Sequence, residues 1–325
     1  VDDQKMKVFI TGVGGALGRE LAPALKAKGF TVIGNDIKSP EDIANMGLIG
    51  VEYLWRATED IRGSDLENAD VVINLSATAD RPMGLSSPLH TIHNNLIPTA
   101  RLLETCRNIK LDKFIQLGSG TIYLGISESE LPAIESTTPK PTNPYSASKY
   151  AQDIFCQSYY YAYDLPVIIV RSGMTYGAGR LAIAPHRFII QALKNESITV
   201  YGGRQTRTPT HINDIVEYCV KLVEAPSQIW KGKIVHAVYP TNSNDKGEYS
   251  LVEMAEIIKN IVGAESEIVP SEYESGEHRL TGPAREWIIS TTAEKLGVKP
   301  KIRFEEGLRL TVDWIRSRMA NTHHS

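Results

Sequence analysis

Lys7-Val8-Phe9-Ile10-Thr11-Gly12-Val13-Gly14-Gly15-Ala16-Leu17-Gly18 decides the fold. Its first four residues read as a short buried strand. After the glycines, Leu17, Leu21 and Leu25 recur at helical spacing and predict an amphipathic helix. Between strand and helix, Gly12, Gly15 and Gly18 form a G-x-x-G-x-x-G turn. Glycine permits the tight turn and lets the backbone approach a pyrophosphate. The helix N-terminus behind it offers free N–H groups and the positive end of a dipole.

Outward from this stretch, apolar runs recur. Thr31-Val32-Ile33-Gly34 reads as a second strand. Val71-Val72-Ile73-Asn74-Leu75, Phe114-Ile115-Gln116-Leu117 and Val167-Ile168-Ile169-Val170 read as later ones. Near-continuous apolar strands separated by helices imply a parallel sheet covered on both faces. The expected fold class is α/β, a Rossmann-type doubly wound parallel sheet with a smaller C-terminal substrate-binding cap. The pattern changes after about residue 175, where loops lengthen and Gly, Pro, Arg and His appear between helices. Residues 6–175 are therefore read as the cofactor-binding domain. Residues 176–320 are read as mainly cap, with some later segments returning to the first domain. Within the cap, Leu251–Val262 and residues 305–317 read as helices.

Asp36 ends the second strand, 24 residues after Gly12. A carboxylate there accepts hydrogen bonds from the adenosine ribose and repels a 2′-phosphate, which favours NAD over NADP. Asp60 and Ile61 follow the third strand, where they would flank the adenine.

A second segment, Tyr145-Ser146-Ala147-Ser148-Lys149, places a phenol and an ammonium at i and i+4 on one helix face. Asn143-Pro144 before it suits a helix start. A nearby Lys⁺ favours phenolate over phenol. A tyrosine so tuned takes a proton from an alcohol while hydride leaves the same carbon. Ser119 follows the strand ending at Leu117 and is placed to hydrogen-bond the substrate oxygen, with Thr121 as a second hydroxyl.

The bulk numbers limit the alternatives. With 42% hydrophobic and 22% charged residues the composition is that of an ordinary globular protein, and a net charge of -3 argues against a nucleic-acid binder. No apolar run approaches the ~20 residues that span a bilayer, so no membrane partner is expected. Cys106, Cys156 and Cys219 are scattered and odd in number, which implies no metal site and a reducing, cytoplasmic setting. Residues 1–5 lack the apolar core of a signal peptide. Met6 reads as a native start, and residues 1–5 and 321–325 are set aside from the fold argument as expression remnants.

Taken together, these residues resemble the extended short-chain dehydrogenase/reductase family. They are most similar to its NAD-dependent epimerase/dehydratase branch, which acts on nucleotide-linked sugars. The resemblance runs over nearly the whole chain. It includes Thr11 to Gly18, Asp36, Asp60-Ile61, the segment from Val72 to Ala77, and Asn95. It continues through Leu102-Leu103-Glu104, Ser119 to Tyr123, Tyr145 to Lys149, Arg171 and Tyr176-Gly177. Arg207, His211, Asp214, Leu296 to Pro300 and Glu306-Gly307-Leu308 complete it.

The resemblance implies an NAD cofactor, with Gly12, Gly15, Gly18, Asp36, Asp60, Ile61, Leu75, Ala77, Asn95, Tyr145 and Lys149 around it. It implies Ser119, Tyr145 and Lys149 as the catalytic set. It also implies Thr121 and Arg207 on the substrate, Arg207 at a diphosphate, where a planar fork binds bidentately. A small-molecule sugar or nucleotide-sugar partner and a homodimer follow from the same likeness.

Subclasses separate at two positions. The family's 4,6-dehydratases carry an Asp-Glu pair just after the catalytic hydroxyl, its uronate decarboxylases a Glu at the second of those positions, and its 3,5-epimerases a Cys. Here Gly120 and Thr121 stand there. The resemblance therefore implies a 4-epimerase acting by transient oxidation at C4 with Tyr145 as base. The alternative is a dehydrogenase or reductase of a free sugar, sugar acid or other small carbonyl compound. That alternative draws on Met174, which replaces the family's usual diphosphate-binding Asn, and on Ser172, which replaces a Pro.

His211 and Asp214 read as a helix start with a structural role. Tyr159-Tyr160-Tyr161 and Tyr163, on the Tyr145 helix, suit either an interface or core packing. Arg81, Met83, His90 and His93 fall in a region where the family places substrate loops.

Overall fold

The computed structural model describes residues 6–79, 81–181, 183–239, 246–272 and 285–322. The side chains of Arg81 and Met83, and the two terminal segments set aside above except the backbone of 321–322, lie outside the described residues.

In chain order the first elements are β1 (Lys7–Thr11), α1 (Ala16–Ala27), β2 (Thr31–Asp36), α2 (Pro40–Asn45), β3 (Glu52–Trp55) and β4 (Val71–Asn74). Helices α3 (Arg81–Ser86) and α4 (Pro88–Thr91), a π turn (Ile92–Leu96) and α5 (Ile97–Arg107) lead to β5 (Lys113–Ser119). Next come α6 (Pro144–Tyr163) and β6 (Val167–Ser172). The later chain forms β7 (Met174–Tyr176), α7 (Ala184–Leu193), β8 (Ile198–Tyr201), β9 (Thr206–Arg207) and β10 (Pro209–His211). It continues with α8 (Ile212–Glu224), α9 (Ser227–Trp230), β11 (Ile234–Ala237), β12 (Tyr249–Ser250), α10 (Leu251–Val262) and β13 (Ile268–Ser271). A final helix spans Phe304–Thr322.

Seven strands form one parallel sheet in the order β11-β6-β5-β4-β1-β2-β3. This is a Rossmann-type α/β fold. The strand order reverses between β1 and β4, and ligands bind at the carboxyl ends of strands at such a switch point. The strands are apolar because both faces are covered. One face packs Val8, Ile10 and Ile73 against Leu17, Leu21 and Leu25 of α1 and Ile215, Cys219 and Leu222 of α8. The other packs Phe9, Val72 and Phe114 against Leu102, Leu103 and Cys106 of α5 and Cys156 of α6. Each buried aliphatic side chain of this kind contributes roughly 1.5–3 kcal/mol over its exposed state.

The return of the later chain is the part that simple alternation did not outline. Segment 212–237 comes back to the sheet, α8 onto α1 and β11 beside β6. A smaller C-terminal unit has its own core, in which Phe188, Ile189, Val200, Met254, Ile258, Leu308 and Val312 are buried together. Its strands are short pairs, β12 on β9, β13 on β8 and β10 on β7.

Under the switch point the strand ends are tied by buried side chains. Thr11 Oγ1 donates to Asn74 Oδ1 at 2.6 Å and accepts from the amides of Leu75 and Ser76 at 3.1 Å each. Asn74 Nδ2 donates to Gln116 Oε1 at 2.8 Å. These bonds fix the ends of β1, β4 and β5 relative to one another.

Candidate active site

The glycine turn is built as its sequence requires. Gly12 has φ +66°, in the left-handed region that L side chains rarely adopt, and a Cβ there would lie 3.2 Å from the Ser76 backbone. At Gly18 a Cβ would sit 2.5 Å from the Val13 carbonyl oxygen, so only glycine lets α1 start so close to the turn. Gly15 is the N-cap of α1 and provides no side-chain cap, which leaves the N-terminal amides to a ligand. Asp36 Oδ2 accepts from the Gly14 amide at 3.0 Å and its Oδ1 from the Lys38 amide at 3.2 Å, so this carboxylate is anchored to the turn. Lys38 Nζ lies 3.7 Å from the same carboxylate. The turn, the helix end and the placed acid together fit an NAD diphosphate and ribose.

At the end of β5, Ser119 caps a 3-10 turn over Gly120–Tyr123. Its Oγ accepts from the Thr121 amide at 3.3 Å and shares a hydrogen bond with Thr121 Oγ1 at 2.9 Å. The two hydroxyls thus act as a pair. Helix α6 begins at the expected place, with Asn143 as N-cap accepting from the Ser146 amide at 2.9 Å and Pro144 at its first position. Tyr145 and Lys149 therefore occupy its first two turns. Gly84 of α3 packs on Tyr145, since a Cβ there would lie 3.1 Å from the tyrosine's own Cβ. Lys149 is buried and its Nζ donates to the Leu117 carbonyl at 2.7 Å. Burial pushes the Lys149 ammonium down to about 8, against the opposing charge of Asp153.

One cleft of about 790 Å³ joins these parts. Gly12, Gly15 and Gly18 lie at one end, with Leu75 and Ala77 from the β4 end, and Ser119, Thr121, Tyr145 and Lys149 beyond them. The opposite wall comes from the later chain and holds Met174, Arg180, Arg187, Tyr201, Arg207 and Glu286. Arg187 stacks its guanidinium 5.1 Å above the Tyr201 ring. The bridge Thr206↔Arg285 sets Arg207 beside Glu286, both buried. Among the described residues lining the cleft, Glu286 is the single carboxylate. Two residues on, the end of the Ile288 side chain packs where a Cβ at Gly120 would go.

Other residues that the sequence singles out are not among those lining the enclosed cleft. Asp60 closes a 3-10 turn after β3, and Ile61 is buried in the core with its carbonyl accepting from Thr105 Oγ1 at 3.3 Å. Neither reaches the enclosed part of the cleft. Asn95 stands behind it. Its Oδ1 accepts from the Thr78 amide at 2.8 Å and its Nδ2 donates to Ser148 Oγ on α6 at 3.0 Å, so it links the β4 loop to the tyrosine helix. His211 caps α8, and Asp214 accepts from the amides of Lys301 and Ile302, which supports the structural reading of both. His90 lies 3.5 Å from Thr78 Oγ1, and His93 is exposed on the π turn.

The sequence reading missed Arg180, Arg187, Tyr201 and Glu286. The available signal was weak: two arginines and a histidine within ten residues after Gly177, and nothing local at Glu286. Cys106, Cys156 and Cys219 are free and buried. Among the described residues no cluster of His, Cys, Asp and Glu would hold a metal, and no helix is long and apolar enough to cross a membrane.

Residues 8–237 match the NAD dependent epimerase/dehydratase family. The chain belongs to that family. It is 34% identical over 233 residues to the dTDP-D-glucose 4,6-dehydratase of Dictyostelium discoideum, a match covering 65% of this chain and 54% of that protein. It is 27% identical to a putative UDP-glucose 4-epimerase of Methanocaldococcus jannaschii, over 95% of this chain and 98% of that one. In structure it resembles the UDP-glucuronic acid 4-epimerase of Bacillus cereus, solved with UDP-glucuronic acid and NAD. There the TM-score is 0.82 and the identity 26%, over 96% of this chain and all of that one. This family member is an enzyme of the extended short-chain dehydrogenase/reductase type, and its cofactor is NAD.

Proposed function

We propose that this enzyme is a 4-epimerase of a nucleotide-linked sugar, working by transient oxidation at C4 with Tyr145 as base. The observation that carries the reading is the single cleft. It runs from the glycine turn, past Ser119, Thr121, Tyr145 and Lys149, to a wall with Arg180, Arg187 and Arg207. Such a wall suits a diphosphate, and the stacked Tyr201 suits a base. Gly120 and Thr121 stand where a dehydratase needs its acid pair, and Ile288 fills the space beside Gly120.

Bound along the turn, NAD supplies the hydride acceptor and donor. Gly12, Gly15 and Gly18 hold its diphosphate and Asp36 its ribose, with Asp60, Ile61, Leu75, Ala77 and Asn95 around it. Tyr145 Oη takes the C4 hydroxyl proton, while Ser119 and Thr121 hold the oxygen as it becomes a carbonyl. The Lys149 ammonium stabilises the phenolate. After the keto sugar rotates, Tyr145 returns the proton to the same oxygen, and no net redox results.

Met174 on the cleft wall supports a second reading, a dehydrogenase or reductase of a free sugar or sugar acid, because a thioether offers a diphosphate no donor. Exposed Ile154, Phe155, Tyr161 and Tyr163 on α6 suit a homodimer, and three buried free thiols suit a reducing, cytoplasmic setting.

The test is incubation with UDP-, dTDP-, GDP- and CDP-sugars, read by NMR, alongside mass spectrometry of what denatured protein releases. The expected outcome is a C4 epimer without net NADH, and NAD(H) retained near one per chain. No turnover of any nucleotide sugar, with stoichiometric NADH from a free sugar, overturns the proposal in favour of the second reading.

A further inference from the structure

Asp36 carries a cation beside it. The chain from Asp36 to Lys38 turns over the end of β2, and β3 pins it there. The Tyr53 hydroxyl sits between the Asp36 and Lys38 carbonyl oxygens, 2.9 Å from the first. Trp55 Nε1 donates to the Ile37 carbonyl at 3.0 Å, and the Arg56 amide donates to the Asp36 carbonyl at 3.1 Å. Three successive carbonyls are thereby held, so the Lys38 backbone has one place relative to Asp36. Its side chain then folds back over the glycine turn. Lys38 Cδ lies 3.1 Å from where a Cβ at Gly14 would be, and Nζ comes within 3.7 Å of Asp36 Oδ1.

The carboxylate itself is fixed, because the Gly14 and Lys38 amides each donate to one of its oxygens. Asp36 is buried, whereas the Lys38 side chain is 39% exposed. Other charges close in sequence face elsewhere. Arg56 pairs with Asp65, Asp42 accepts from the Ser39 amide and hydroxyl, and Glu41 is exposed on α2. Among the described residues Lys38 is the only cation in an ion pair with Asp36.

A carboxylate at the adenosine ribose bonds the 2′-hydroxyl, and a cation there accommodates a 2′-phosphate. Here both charges stand at one place. A hydroxyl finds the fixed acid. A phosphate meets the same acid, but also an ammonium on a flexible stem that can swing to it. A partly exposed pair is weak, so releasing Lys38 from Asp36 costs little.

We propose that Lys38 is a specificity-determining residue that opens the adenosine site to a 2′-phosphate, so that the enzyme binds NADP as well as NAD. The inference goes beyond the epimerase reading. It rests on placing the ribose at Asp36, and no sugar enters its test. Protein as purified is incubated with an equimolar excess of isotope-labelled NAD and NADP until the resident cofactor has been replaced. After desalting and denaturation, mass spectrometry gives the ratio of NADP to NAD released. The intact protein is expected to carry NADP at no less than about one tenth of its NAD, one decade of preference.

Lys38→Met keeps the apolar stem over Gly14 and removes the charge. Its ratio is expected to fall about tenfold, the worth of a charged hydrogen bond, with an unchanged melting temperature. Lys38→Arg is expected to keep the ratio of the parent. Asp36→Asn removes the repulsion and is expected to raise it. An intact protein that excludes NADP overturns the proposal. So does a Lys38→Met ratio equal to the parent's while that of Asp36→Asn moves. A ratio unmoved in both variants overturns the placement of the ribose at Asp36 as well, so the two failures are distinguishable.

Discussion

The two walls of the cleft are built in different ways. The sheet wall takes Ser119 from the end of β5, and Tyr145 and Lys149 from the first turns of α6, all held by packed strands and a capped helix. The opposite wall takes Arg180 from a loop, Arg187 from α7, Tyr201 from β8, Arg207 from β9 and Glu286 from a strip on the far side of β12 and α10 in sequence. A group on a long, buried element has its position fixed by local sequence. A group on a two- to four-residue strand has its position fixed by which distant segment pairs with it. The difference teaches that, under the proposed function, the chemistry is written locally and the substrate fit is written in tertiary assembly.

The sharpest way to break this division is Tyr145→Phe. It removes one hydroxyl from the sheet wall and leaves the ring in place. Turnover should fall about 10²–10⁴-fold, the usual worth of a positioned acid or base, while the melting temperature and NAD affinity stay near those of the parent. Substantial remaining turnover would mean that the base is another group.

On the opposite wall the expected signature differs. Arg207→Ala removes a guanidinium that is buried beside Glu286. A charged hydrogen bond contributes roughly 1.5–3 kcal/mol, so KM for the nucleotide sugar should rise about 10–100-fold, with a smaller change in kcat. A kcat loss as deep as that of Tyr145→Phe would erase the distinction between the walls. Gly18→Ala then probes the sheet wall without touching chemistry. Its Cβ would press on the Val13 carbonyl at 2.5 Å, so weaker NAD binding by calorimetry and a stability loss of about 1–3 kcal/mol are expected.

The same contrast explains what the sequence made legible. The strand from Lys7, the glycine turn, Asp36, the strand ending at Ser119 and the Asn143-Pro144 start of α6 stand where periodicity and capping put them. So does helix α10, whose bounds Leu251–Val262 match the reading. Each of these signals is contained within about twenty residues. Arg187 and Tyr201 were not legible, because their stacking depends on α7 packing over β8, and nothing local marks it. Ile288 was not legible as the neighbour of Gly120, because the two lie 168 residues apart in the numbering and meet only in the folded chain. Asp60 and Ile61 were read from their place after the third strand and from the family resemblance, and neither showed that the Ile61 side chain packs into the core under α5.

The smallest expected effect sits at the joint between the walls. His236 lies on β11 of the main sheet and holds the Ile289 carbonyl of the opposite strip. Burial depresses its pKa from 6.5 to about 4. The unfolded chain therefore binds the proton more readily than the folded one, and stability present above pH 6.5 is lost as pH falls toward 4. At pH 5 the single histidine accounts for about 2 kcal/mol of that loss. His211, depressed to about 4 by the same cause, adds in the same direction. A series of melts between pH 7.5 and 5 should show this slope, and His236→Gln should flatten it even though it lowers stability at pH 7. An unchanged slope in His236→Gln would place the acid sensitivity elsewhere and leave the joint between the two walls indifferent to protonation.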